Sequence, residues 1–96
     1  MCYFVGIDVA KFKHDFTIMT DTGEIIVSPT TFSNDDAGYK QLKDSLTSLD
    51  HSQEIKIGLE STGHYHKNLV KFLNDLSFDV EVLNPYLVRK YIETRT

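Results

Sequence analysis

Two stretches of this chain place an acid two residues after a glycine at the end of an apolar run: Val5-Gly6-Ile7-Asp8-Val9 and Ile55-Lys56-Ile57-Gly58-Leu59-Glu60. Side chains alternate across a β-strand, so Gly6 and Asp8 share one face of the first run, and Gly58 and Glu60 share one face of the second. If the two strands are neighbours, two carboxylates stand side by side with cleared space next to them. Such a pair suits Mg²⁺ or Mn²⁺, hard cations that take oxygen ligands and bind phosphate oxygens. Taken singly, Asp8 reads as a turn cap and Glu60 as a polar strand end. The matched Gly-x-acid endings favour the metal reading, provided the strands are adjacent.

The elements that must position them follow from the pattern. Residues 3–9 read as a strand that is apolar on both faces, hence central in a sheet covered on both sides. Residues 14–20 alternate, with Phe16 and Ile18 on one face and Asp15, Thr17 and Met19 on the other. Asp21-Thr22-Gly23-Glu24 supplies a turn, and Ile25-Ile26-Val27 begins a third strand, making an antiparallel meander. Pro29 lacks a backbone donor and is expected to mark that strand's end or its exposed edge.

Ser33 is read as a helix N-cap, with Asp35 and Asp36 in the first turn and Phe32 stapled onto Ala37. Tyr39, Leu42, Leu46 and Leu49 form the apolar face of this helix, Lys40, Lys43, Asp44 and Ser48 its wet side, and Gly38 weakens it slightly. A strand over 54–60 follows. Ser61-Thr62-Gly63 then caps a second helix that carries Tyr65, Leu69, Phe72, Leu73 and Leu76. A strand over 78–83 puts Phe78, Val80 and Val82 on one face, and Asn84-Pro85 starts a third helix with Leu87, Val88, Tyr91 and Ile92 inward.

The predicted fold is α/β, a mixed five-stranded sheet in the order 3-2-1-4-5. Strands 1–3 form the antiparallel meander, strands 1, 4 and 5 run parallel, and helices pack on the sheet. In that order Asp8 and Glu60 sit at the carboxyl ends of adjacent parallel strands, at a switch point where α/β sheets place ligands.

Composition restricts the function classes. The 96 residues are 41% hydrophobic and 25% charged, with a formal net charge of −4, which describes one small globular domain and excludes strong nucleic-acid binding through bulk positive charge. Local basic residues remain: Lys11 and Lys13 after the first acid, and Arg89, Lys90 and Arg95 near the chain end. No apolar segment approaches a membrane span and no signal peptide is visible, so a cytoplasmic location without membrane attachment is expected. The single cysteine, Cys2, allows no internal disulfide and reads as a small hydrophobe.

The remaining candidates have plain structural readings. His64 and His66 are alternate helix positions that do not share a face, and they read as surface rather than as a zinc pair. Lys11 could contact a phosphate near Asp8. Arg89 and Lys90, beside Tyr86 and Tyr91, could touch a nucleic-acid backbone, and a solvated helix face explains them equally well.

Gly6-Ile7-Asp8-Val9-Ala10-Lys11, then Leu59-Glu60-Ser61-Thr62-Gly63-His64-Tyr65-His66, then Val82-Leu83-Asn84-Pro85 with Val88 resemble the N-terminal domain of the DEDD insertion-sequence transposases. That domain is similar to the RuvC-like Holliday-junction resolvases and has the ribonuclease H-like fold. The resemblance covers about residue 3 to the chain end. It implies that Asp8 and Glu60 are the first two catalytic, metal-binding acids, that the cofactor is Mg²⁺ or Mn²⁺, and that the partner is DNA. In some members a structured guide RNA takes part, and a homo-oligomer is compatible with this reading. The family's other two acids, an Asp-x-x-Asp pair, and a C-terminal domain carrying a serine nucleophile have no match here. Residues 1–96 are therefore expected to be a single domain of a longer chain, inactive alone and weak in metal binding.

Two other classes compete. A nucleotide-binding half-domain of the actin, sugar-kinase and Hsp70 type shares the sheet order, but it is expected to follow its first acid with a glycine-containing phosphate loop, and Val9-Ala10-Lys11 contains none. A non-catalytic interaction module would leave the acids vestigial and use the exposed surface for assembly.

Overall fold

The computed structural model describes residues 2–61 and 65–83. Their order is β1 (Cys2–Val9), β2 (Lys13–Thr20), β3 (Ile25–Ser33), α1 (Asp36–Thr47), β4 (Glu54–Ser61), α2 (Lys67–Asp75) and β5 (Val80–Leu83). The strands form one five-stranded sheet in the order β3-β2-β1-β4-β5, as expected. β1 runs antiparallel to β2, β2 antiparallel to β3, and β1, β4 and β5 run parallel. The third helix, read from Asn84-Pro85, and the residues Arg89 and Lys90 lie outside the described residues, as does His64.

Strand alternation sorts the sheet into two unlike faces. Val5, Ile7 and Val9 of β1, Phe16 and Ile18 of β2, Phe32 of β3 and Ile57 and Leu59 of β4 are buried in one cluster with Tyr39, Leu42 and Leu46 of α1 and Leu69 and Leu73 of α2. The rings of Tyr39 and Phe72 meet at 5.2 Å between centroids, so α1 and α2 lie side by side over that face. Each fully buried Leu or Ile removes enough apolar surface from water to contribute about 1.5–3 kcal/mol. On the opposite face of β1, Cys2, Phe4 and Gly6 are half-buried and Asp8 is exposed. The expectation that β1 is covered on both sides therefore holds for one face among the described elements. Of the even-numbered positions of β1, Cys2, Gly6 and Asp8 are small or polar and Phe4 is the exception, and the two described helices pack on the odd-numbered side.

Several local readings are corrected. β3 continues to Ser33, and the N-cap of α1 is Asp35, whose side chain accepts from the Gly38 amide at 2.9 Å. Ser33 instead donates to the Asp35 carboxylate at 2.6 Å. The carboxylate sits where the helix dipole favours negative charge, while the Ser33 backbone is still paired to Lys13 in the sheet. With the cap moved, the positions flanking the first turn are Asn34 and Tyr39, and Tyr39 Oη donates to Asn34 Oδ1 in place of an apolar staple. Phe32 turns into the core, edge-on to His14 and Phe16, and Ala37 is exposed.

α2 begins at Lys67, later than the Ser61-Thr62-Gly63 cap implied. His66 is its N-cap and makes no side-chain capping bond. The strand expected from residue 78 starts at Val80, because Ser77 and Phe78 are used to stop α2. Ser77 takes φ 69°, and the Ser77 and Phe78 amides donate to the Asn74 and Leu73 carbonyls, a Schellman closure. Pro29 lies within β3, which is an edge strand, next to a register shift between the Phe16 and Ile18 pairings. An edge position and a bulge are where a strand tolerates a missing donor.

Candidate metal centre

The parallel pairing of β1 with β4 sets Gly6 opposite Gly58 and Asp8 opposite Glu60. Adjacent strands lie about 5 Å apart, and partners in register point to the same face. The two Gly-x-acid endings therefore coincide step for step. A Cβ built on Gly6 would meet nothing within 4 Å, so the space beside Asp8 is open. Asp8 is exposed and Glu60 half-buried, at the carboxyl ends of their strands.

A third acid joins them that the linear pattern did not single out as a site residue. Asp15 is the partner of Asp8 across the antiparallel β1–β2 pair, so Asp15, Asp8 and Glu60 form a row over three adjacent strands. The alternation of β2 already put Asp15 on the non-core face. What was missing was the hairpin register that brings it level with Asp8. Thr31 on β3 donates its hydroxyl to the Asp15 carboxylate and draws it toward the sheet edge. Among the described residues no three His, Cys, Asp or Glu side chains converge closely enough to hold a metal ion. Asp8 and Glu60 thus offer the oxygen donors a hard cation takes, but only part of the ligand set such an ion prefers.

The turn after Asp8 carries Lys11 and is held from several directions. The Ala10 amide donates to His14 Nδ1 at 3.1 Å, which leaves the ring proton on Nε2. His14 is only 1% exposed, and its Nε2 has no hydrogen-bond partner among the described residues. The Lys11 and Phe12 carbonyls accept from the side chain and the backbone amide of Asn34, at 3.1 and 3.0 Å. Burial, followed by the charges of Asp36 and Asp35, raises the pKa of the Tyr39 hydroxyl above that of an ordinary phenol, so it stays a donor to Asn34. Lys11 itself is exposed, with Nζ 5.0 Å from the centroid of the Phe12 ring.

Of the other predicted candidates, His66 is half-buried at the start of α2 and joins no group of metal-ligating side chains among the described residues. Tyr65 packs partly buried against the core, as its place on the apolar stripe implied. Cys2 is a half-buried free thiol. No helix among the described residues is long and apolar enough to cross a membrane.

Comparison with solved structures finds the same sheet in larger proteins. YeaZ from Pseudomonas aeruginosa matches with a TM-score of 0.56 and 11% identity, over 88% of this chain and 43% of that one. A glucokinase from an Antarctic psychrotroph matches with a TM-score of 0.51 and 16% identity, over 90% of this chain and 33% of that one. At such identities the likeness is one of fold alone, and the chain spans less than half the length of either structure. Comparison with curated proteins gives no match. A family described as "Transposase", the DEDD transposases of the IS110 type, matches residues 5–96, a range that contains both Gly-x-acid endings. With the strand order and the aligned acids already in place, that match shows that the chain belongs to the DEDD transposases of the IS110 type.

Proposed function

We propose that this chain is the N-terminal catalytic part of a transposase in which Asp8 and Glu60 hold Mg²⁺ or Mn²⁺ for cleavage and exchange of DNA strands. The observation that carries this reading is the register of β1 on β4, which pairs Gly6 with Gly58 and Asp8 with Glu60. A divalent ion bound there would neutralise charge building on the phosphodiester oxygens. The residues of this chain would supply the rest: two carboxylates aligned by strand pairing, open space at Gly6 that would let a backbone approach, and exposed Lys11 on a pinned turn that could contact a phosphate. DNA is the proposed partner, with a guide RNA and self-assembly as properties of the longer protein. Two acids are half of a four-acid set, so the 96-residue chain is expected to bind metal weakly and leave DNA uncut.

Paramagnetic line broadening by Mn²⁺ in the NMR spectrum tests this. The amides of Asp8, Glu60 and their strand neighbours are expected to broaden first, at millimolar ion, and Asp8→Asn or Glu60→Gln to remove the effect. Broadening centred elsewhere, or tight binding that survives Asp8→Asn, would overturn the assignment.

A further inference from the structure

Phe12 is 77% exposed, more than any other large hydrophobic described, and its setting differs from the rest. Ile25, Ile26 and Val82 lie on β3 and β5, the edge strands among the described residues. Phe12 instead occupies the turn between β1 and β2, at the carboxyl end of β1 beyond Asp8, with exposed lysines on both sides. Its backbone is fixed although its ring is open. The Lys11 and Phe12 carbonyls are both held by Asn34, and the Ala10 amide by buried His14. A ring presented this way loses little freedom on binding.

We infer that Phe12, flanked by Lys11 and Lys13, is a stacking platform for an unpaired base of a nucleic-acid strand passing the carboxylate end of the sheet. The inference rests on the proposed function and adds the form of the strand. An aromatic face with cations beside it is the sequence-tolerant way to hold single strands, because every base has a π-face and every step a phosphate. Lys11 already lies over one face of the ring at 5.0 Å, so a base stacks on the other face and the ring is held between base and charge. A duplex hides its base faces in the stack, so the platform selects unpaired nucleotides. A protein partner is the poorer fit, because among the described residues the chain neighbours of the ring, Ala10, Lys11 and Lys13, and Ser33 paired to Lys13, are exposed and mostly polar.

The chain has no tryptophan, so Phe12→Trp introduces a single reporter at the turn. Titration with a thymidine oligonucleotide is expected to quench its emission saturably, and a duplex of equal length to quench it less at the same salt. Phe12→Ala is expected to weaken single-strand binding by roughly tenfold or more, the range for loss of one base–aromatic stack. Phe12→Tyr restores binding and Phe12→Leu does not. Lys11→Ala and Lys13→Ala each lower the salt dependence by about one phosphate contact while the stacking signal persists. Unchanged single-strand affinity in Phe12→Ala, an unquenched tryptophan with strand bound, or no binding by wild type at millimolar oligonucleotide would overturn the inference. So would a loss of self-association in Phe12→Ala as the only effect, since the ring would then be a protein contact. Mn²⁺ broadening at Asp8 in the wild type reports separately on the carboxylate reading, so either can fail while the other stands.

Discussion

At the scale of single residues, Asp35 does more than one structural job. Its carboxylate accepts from the Ser33 hydroxyl and from the Gly38 amide, and these bonds hold its pKa below the ordinary carboxylate value. A group depressed in the folded state stabilises fully above its unfolded pKa, near 4, and loses that contribution as pH falls through the lower folded value. Asp35→Ala is therefore expected to lower the melting temperature at neutral pH, with the gap from wild type closing in acid below that range. Thermal melts at several pH values check this, and a gap that stays constant into strong acid would refute it. The choice between Ser33 and Asp35 as cap was not legible in the sequence, since both are good caps. The difference lies in how far β3 extends, and that depends on the pairing of Ser33 with Lys13.

At the scale of elements, Gly38 shows how a propensity argument is overruled by packing. In an isolated helix Ala would be better than Gly by about 1 kcal/mol. Here a Cβ on Gly38 would lie 1.9 Å from the carbonyl oxygen of Ser33, a backbone atom that cannot swing aside. The first turn of α1 approaches the end of β3 so closely that only glycine fits. Gly38→Ala is expected to destabilise by about 2–3 kcal/mol through overpacking, measured by urea unfolding, and a stabilised variant would show that the approach is not tight in solution. The apolar stripes of α1 and α2 and the alternation of β1, β2 and β4 were legible because each repeats a period over several residues. The start of α2 and of β5 was not. Ser77 adopts a left-handed conformation usually taken by glycine, and no glycine marks the turn. The carboxylate pair was legible from two glycines and two acids, whereas Asp15 needed the hairpin register as well.

At the scale of the whole molecule, the sheet has two edge strands among the described residues, β3 and β5, and they differ. β5 spans four described residues, Val80–Leu83. β3 is nine residues long and carries exposed Ile25 and Ile26, and its protection is Pro29 with the adjacent register shift. Pro29→Val would restore a donor and a β-former to that edge. It is expected to promote association at high concentration, visible as increased light scattering and a larger sedimentation coefficient. A variant that associated no more than wild type would show that the shift alone protects the edge. The sheet order itself was legible because right-handed crossovers leave few arrangements for three strands, a helix, a strand, a helix and a strand.

The pairing of β1 with β4 has a consequence for the order in which the chain acquires its chemistry. Asp8 emerges from the ribosome with the first strand, but its partner Glu60 follows only after β2, β3 and α1 have been made. The meander and α1 rely on near-neighbour contacts and can form early, whereas the β1–β4 ladder must close the long loop between them, a slow kind of contact. The two carboxylates therefore stay apart until most of the fold exists. A divalent ion bound by the pair, as proposed, would meet both carboxylates only on a chain in which β1 and β4 have already joined.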